Sequence, residues 1–454
     1  MNHGPAHAGV PTPFPRTLFD DPVAERARSF IEPVLKRAED AEKVGAEAER
    51  WVNLVYLAFK LLQTRPHVGR RSRSMIAWPV QRRTVRDLIA ASPRSEERTL
   101  LLALLEALDE DGAQQPPTRA WIAARTEYAE WLEAQGHVAS ALALFAVTDG
   151  DAWGQAAAID TVRGTLLVAR LYRRLARWEA AERGYSAAGR MALQIGAEEL
   201  GFHAEIGSAL ALTQRGNLPE AHRRWLDLHA RTQHASADLR YRVASNFGLL
   251  LERIGKPVDA LARFLEAAAL APDSQSILLV FSNIGVVLAQ LGYWSAALAV
   301  QEMVRARASS WTIRVNAEIE TLASLSRRDP DEFRRRASEL ESMIARMSPA
   351  MRVDCRYQIA AGAALLGDRQ RASELLTDAL SDAAANGLHQ WYFRIESNCA
   401  DLLGAAPPTS WEDPEPTAPL ERLLAGVRAF AASVAGDDLE PQLSRCSSPA
   451  SHSS

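Results

Sequence analysis

Cysteine is scarce in this chain. Its 454 residues include three, Cys355, Cys399 and Cys446, an odd number at wide spacing. Neither a disulfide framework nor a CxxC metal knuckle can be built from them, which suits a reducing compartment, and a cytoplasmic location is expected. Lysine is almost as rare: Lys36, Lys43, Lys60 and Lys256 stand alone, and arginine carries the remaining positive charge. The formal net charge of −4 excludes a protein that coats nucleic acid or membrane through bulk positive charge. Alternating β-branched runs are missing, so no sheet is expected. The opening MNHGPAHAGVPTPFPRT lacks both the basic and the apolar region of a signal peptide, and residues 1–19 read as a disordered arm. Ser274 to Gln301 carries no charge, the usual mark of a membrane span. Asn283, Gln290 and a central Leu291-Gly292-Tyr293-Trp294 interrupt it and read as an elbow between two helices, so no membrane association is expected.

Catalytic signatures are absent too. The chain has no GxxxxGK[ST] phosphate loop, no GxGxxG, no HExxH and no GxSxG elbow. His203, His222, His229 and His234 fall close together, but no cysteine or carboxylate completes a zinc-like spacing. An enzyme is therefore not expected, nor a cofactor, nor a bound metal. Trp121, Trp131, Trp153, Trp178 and Trp225 sit at helix-packing spacing and read as core.

What the chain does have is a period. Apolar residues recur at three- and four-residue spacing almost throughout, which predicts an all-α protein. Short helical runs end at Gly136, Ala176, Gly216, Gly255, Gly292, Asp329, Gly367 and Gly404, at intervals of 37 to 40 residues. Seven residues before the first seven of these stand Ala129, Ala169, Ala209, Gly248, Gly285, Leu322 and Ala360. Five residues after them stand Ala141, Ala181, Ala221, Ala260, Ala297, Arg334 and Ala372. A small residue on each of two antiparallel helices lets their backbones approach, and glycine supplies the left-handed residue at the turn. Large side chains nine residues past the turn, Phe145, Tyr185, Trp225 and Phe264, are placed to fill the gap between one hairpin and the next. A single hairpin cannot bury its apolar face, so stacking is required.

These residues resemble the tetratricopeptide repeat (TPR) family. The likeness is best in Asn246-Phe247-Gly248…Gly255…Ala260…Phe264…Ala267…Pro272 and in Asn283-Ile284-Gly285…Gly292-Tyr293-Trp294…Ala297. The resemblance covers residues 122–404 and implies an α-solenoid of about seven stacked antiparallel helix hairpins forming a superhelix. The period exceeds the family's usual ~34 residues, as in longer regulator-type arrays. The unit around Asp329 departs further, with Leu322 and Arg334 in place of small residues, and reads as a kink or weak point. Around the array, residues 20–121 read as an N-terminal helical region, 405–435 as a Pro-rich linker and capping helix, and 436–454 as a disordered tail.

The resemblance also places ligand-facing positions on the first helix of each hairpin. They are Arg163, Leu166, Arg170, Arg173 and Arg174, then His203, Ile206, Leu210, Thr213 and Gln214. Arg242, Ser245, Leu249, Glu252 and Arg253 follow, then Leu279, Ser282, Val286 and Gln290. The implied function is a non-enzymatic scaffold that holds a protein or peptide in a concave groove, basic at one end and apolar in the middle. The arginines have a second reading, as braces to carboxylates of neighbouring repeats. The carboxylate clamp by which some TPR domains hold a chaperone tail does not fit around Asn246 or Asn283. One further charge feature stands outside the array. From Arg50 to Arg86 there is no Asp or Glu, while Arg65, Arg70, Arg71, Arg73, Arg82 and Arg83 cluster in a segment, 65–86, that reads as a basic loop. It is either solvated or an anion site for phosphate, nucleic acid or an acidic partner, so a regulatory nucleic-acid-associated protein is the alternative function.

Overall fold

The computed structural model describes residues 45–63, 74–110, 119–147, 158–404, 413–416, 420–422 and 424–427. No strand occurs among the described residues. Three helices come first: α1 (Ala46–Gln63), α2 (Ser74–Ala90) and α3 (Glu96–Glu110). The repeated region follows as α4 (Arg119–Ala134), α5 (Val138–Val147), α6 (Ala158–Arg174), α7 (Trp178–Gln194), α8 (Glu198–Arg215) and α9 (Leu218–Arg231). It continues as α10 (Ala237–Arg253), α11 (Pro257–Leu270), α12 (Ser274–Gln290), α13 (Trp294–Arg307), α14 (Trp311–Arg328) and α15 (Pro330–Ser342). Last come α16 (Pro349–Leu365), α17 (Arg369–Ala385) and α18 (His389–Gly404). The chain forms two compact units. One comprises the residues up to Arg215 with Arg346–Ala350 and Ala383–His389; the other comprises Gly216–Ala345, Met351–Asp382 and the residues from Gln390 on. The expected arm 1–19, the tail 436–454 and most of the 405–435 linker lie outside the described residues.

The elbows explain the period. Gly136, Ala176, Gly216, Gly255, Gly292 and Gly367 all have positive φ, between 56° and 94°. At Gly255 the N–H donates to Glu252 O at 3.1 Å and the next N–H, of Lys256, reaches back to Leu251 O at 2.9 Å. The same two bonds recur at Gly136, Ala176, Gly292 and Gly367, so the first helices of these five hairpins end in a Schellman motif that needs a left-handed residue at one position. Ala176 takes that conformation despite its Cβ. Asp329 does not: its φ is −145°, and its side chain instead caps α15 by accepting from Glu332 N at 3.0 Å. Gly292 also splits the uncharged stretch into α12 and α13. No helix among the described residues is long and apolar enough to cross a membrane.

The small-residue columns are buried as close contacts require. All seven residues seven before an elbow are buried, and so are all those five after it except Arg334, which is exposed. At Gly248 an added Cβ would lie 2.6 Å from the buried Phe264 ring, and at Gly285 it would strike Gln301. The large residue of these two hairpins thus packs on its own first helix, not across the gap to the next hairpin as expected. Tyr185 does pack onward, with its ring against Gly207 of α8. Gln301 stands in the aromatic column because its amide donates to Ser282 O at 2.8 Å. In the divergent unit Phe333 takes the filling role, its ring against Gly362 of α16. Arg336 of that unit is held by Glu302 at 2.6 Å, Glu318 at 3.5 Å and Glu332 at 2.6 Å, so packing and charge pairs there replace the lost small residues.

In the first unit, α1 to α3 share one core with the repeats: Val55, Phe59, Leu104, Tyr128, Phe145 and Tyr172 belong to a single buried cluster. Trp78 Nε1 donates to Leu61 O at 3.1 Å, tying α2 to α1. In the second unit the residues after α18 meet the middle hairpins: Asp413 accepts from Ser295 N at 3.1 Å, Pro414 lies over Gly292, and Gly426 lies against Leu265.

Candidate functional site: the first-helix face

In the first unit, the predicted arginines of α6 split into two groups. Arg170 and Arg174 are braces. Arg170 Nε donates to Glu133 Oε2 at 2.9 Å and its Nη2 to Glu130 at 3.2 Å, while Arg174 Nη1 reaches Glu133 Oε1 at 3.2 Å. Burial alone would raise the Glu133 pKa, but the two guanidiniums outweigh it and hold the carboxyl below its ordinary value. Arg173 donates to Tyr185 Oη at 3.2 Å and to Gln214 Oε1 at 2.8 Å, linking α6 to α7 and α8. Arg163 is open: its side chain is 62% exposed and only grazes Asp160, at 4.0 Å. His203 and Leu210 are half-buried, whereas Ile206 and Thr213 are buried and belong to packing.

In the second unit, Arg242 is exposed beside Asp238 at 2.8 Å, Leu279 is 37% exposed, and Leu249 and Val286 are half-buried. Ser245 and Ser282 are buried. Arg253 donates to Gln390 Oε1 at 3.0 Å. Gln290 donates to Glu252. Further along the same face of the second unit lies a group centred on two carboxyls outside the predicted groove positions. Glu320 of α14 and Asp354 of α16 feel each other's charge and those of Glu252 and the Arg394 guanidinium of α18, and Asp354 also that of Arg253. Burial first, and then the Asp354 charge, pushes the Glu320 carboxyl well above its usual range. Burial also pushes Asp354 up to about 6, against the pull of Arg394 and of the hydrogen bond from Gln358. Asp354 Oδ1 is buried with no hydrogen-bond partner. Arg394 lies 5.1 Å from the Tyr357 ring and 5.0 Å from the Trp391 ring, at cation–π range. The sequence carried a signal for this cluster. Asp354 stands thirteen residues before its elbow, the column already occupied by Arg163, His203, Arg242 and Leu279.

The basic segment comes out differently. Arg65, Arg70, Arg71 and Arg73 lie outside the described residues. Arg82 and Arg83 are on helix α2 and not in a loop. Arg82 stacks on Trp78 at 5.1 Å and donates to Leu108 O at 3.2 Å, so it holds α2 to α3; Arg83 is exposed. Among the described residues no three His, Cys, Asp or Glu are grouped to hold a metal ion.

No protein-family profile and no curated protein matches this chain. Solved structures similar in fold include a Rap protein complexed with Competence and Sporulation Factor, at 14% identity and a TM-score of 0.48, over 79% of this chain and 100% of that one. The apo form of RapI is similar at 10% identity and a TM-score of 0.41, over 81% of this chain and 98% of that one. A signal transduction ATPase with numerous domains and a tetratricopeptide repeat sensor, from Pyrococcus horikoshii, is similar at 16% identity and a TM-score of 0.35, over 79% of this chain and 55% of that one. Likeness at this level says nothing of partner or activity. The hairpin itself, with its left-handed elbow and its two buried small-residue columns, makes the fold a TPR-like α-solenoid.

Proposed function

We propose that this protein is a non-enzymatic scaffold that takes a protein or peptide partner on its first-helix face. One contrast carries the reading. The columns seven before and five after the elbow repeat one chemistry and are almost wholly buried. The column thirteen before it reads Ala123, Arg163, His203, Arg242, Leu279, Asn316, Asp354 and Trp391, and each of these residues is exposed or half-buried as a whole. Spacing is kept while chemistry varies, which fits a face that reads side chains of a partner. Arg242 and Leu279 of the second unit are the contacts this reading favours, and Arg163 is the open position of the first unit taken by itself. Arg170, Arg173 and Arg174 act behind it as braces.

The test uses the full chain. A photo-crosslinking residue placed at Leu279 is expected to yield partner adducts, and the same residue at Leu193, which is exposed on the second helix α7, is not. Reversing Arg163 and Arg242 to Glu together should abolish capture with little change in melting temperature, because both arginine side chains are exposed and pairs made by exposed arginines are worth about 0–1 kcal/mol. Adducts at Leu193 alone, or capture unchanged by the double reversal, would overturn the reading.

A further inference from the structure

The residues that follow α18 reach back to the middle hairpins of the second unit. Asp413 accepts from Ser295 N of α13 at 3.1 Å, 118 positions earlier in the chain, and Pro414 lies over the Gly292 elbow. Residues 420–422 and 424–427 are helical, and Leu420, Leu424 and Val427, four and three apart on one helix face, are buried. Gly426 of the same stretch lies against Leu265 of α11, while Glu415, Glu421 and Arg422 are exposed.

Two features of this seat belong to the hairpins and not to the segment that fills it. The first is electrostatic. α12 and α14 are capped by their own residues, Asp273 accepting from Ser276 N at 2.8 Å and Ser310 from Ile313 N at 3.5 Å. α13 begins after Tyr293 with no side-chain cap of its own. Its first turn is the positive end of the helix dipole, and there Arg327 covers the Trp294 ring at 3.9 Å and Arg328 donates to Ser295 Oγ. That turn suits a carboxylate, and Asp413 supplies one. The second feature is apolar. Leu226 of α9 and Leu265 of α11 stand at the same place in their hairpins, ten residues past the elbow. Leu226 is 49% exposed, so stacking alone leaves this place open; at Leu265 the C-terminal helix covers it. Val258, two turns before Leu265 on α11, is 42% exposed, so the apolar track runs on beyond the segment.

We propose that the second helices α11 and α13 carry a docking surface, separate from the first-helix face, for a segment that leads with Asp-Pro and continues as an amphipathic helix, and that this chain's own residues 413–427 are its exchangeable occupant. Asp413 and Pro414 dock on the α13 turn, and the Leu420, Leu424 and Val427 face docks toward α11 as a helix lies in a groove. The hairpins beneath are complete without it. Phe264 closes on Gly248 and Gln301 on Gly285 within their own hairpins, and a repeat needs only its neighbours to bury its core. Tethered to α18 through residues 405–412, the segment is held at high effective concentration, and it gives way when cut free or outcompeted. The surface stands whether or not the first-helix face binds a partner.

The full chain tests this with a protease site in place of residues 406–410 and a dye at the C-terminus. Cutting makes the seating bimolecular, so fluorescence anisotropy should report the tail retained in concentrated protein and released on dilution. Excess unlabelled peptide of residues 411–430 should displace it, and a scrambled peptide of the same composition should not. Asp413→Ala should weaken retention about two- to thirtyfold, the loss of one helix cap, and Leu424→Asp should abolish it. Amide exchange in α10 and α12 should stay slow throughout displacement. Release at every concentration on cutting, displacement by the scrambled peptide, or retention unchanged by both substitutions would refute the surface. Exchange that rises across α10 to α13 on release would make the segment part of the core. An uncut chain that elutes as a dimer, with Leu424→Asp eluting as a monomer, would seat the tail on a second copy. Either result would overturn an exchangeable occupant within one chain.

Discussion

Glu133→Gln is the sharpest test of how the first-helix face is braced. Its side chain is 7% exposed and grips two guanidiniums. The amide keeps the shape but removes the charge, so Arg170 and Arg174 lose their shared counter-ion. Breaking a fully buried pair in this way costs about 3–5 kcal/mol, whereas an exposed pair is worth about 0–1 kcal/mol. Arg170 is 36% exposed and keeps Glu130, and Arg174 is 24% exposed, so water recovers part of the loss. An intermediate figure of about 2–3 kcal/mol follows. The pH dependence has a definite sign. The folded-state pKa of Glu133 is depressed, so its contribution is complete above the unfolded-state value and fades as pH falls through the folded one. Urea unfolding followed by circular dichroism should show the gap between parent and variant widest near neutral pH and closing in acid. Adding Arg174→Met to the variant should then cost little more, since the partners couple. A variant that unfolds with the parent at neutral pH, or a gap that widens in acid, would refute the brace.

Two further outcomes are expected. Ala260→Trp and Ala297→Trp should each lower stability in thermal melts by at least about 1–3 kcal/mol, because both alanines are buried where two backbones approach; melting like the parent would refute the assigned contact. Burial pushes the Cys355 thiol up to about 12, so a thiol reagent near neutral pH should label it only after unfolding, and labelling of Cys355 in the folded chain by peptide mapping would contradict that placement.

The elbows and small-residue columns were legible in the sequence because each answers a local steric demand, and a residue without a Cβ, or with a small one, satisfies it visibly. Asp329 was legible as an elbow but not as an N-cap, since its role depends on φ. The two readings of the α6 arginines stand side by side in the sequence because charges one repeat apart satisfy a groove and a brace equally well in one dimension; the 2.9 Å contact of Arg170 to Glu133 is a brace that only three dimensions bring into view. Asp354 shared a visible column, but its meeting with Glu320 and Arg394 depends on three helices and has no local signature. The same holds for Arg82, whose service to Leu108 turns a run of positive charge into part of a helix contact.

The membership of the first unit has a consequence for synthesis. Arg346 Nε donates to Gln135 O at 3.0 Å, and Trp178 Nε1 donates to Asn386 O at 3.0 Å. The segments Arg346–Ala350 and Ala383–His389 thus belong to the unit that begins near the N-terminus. In an ordinary repeat array each hairpin needs only its neighbours, and a nascent chain can settle as it emerges. Here the elbow at Gln135 and the Trp178 indole wait for residues made more than two hundred positions later. The early hairpins cannot reach their final state until translation has passed residue 389, and a chain cut short before that point leaves its first half, not only its last, unfinished.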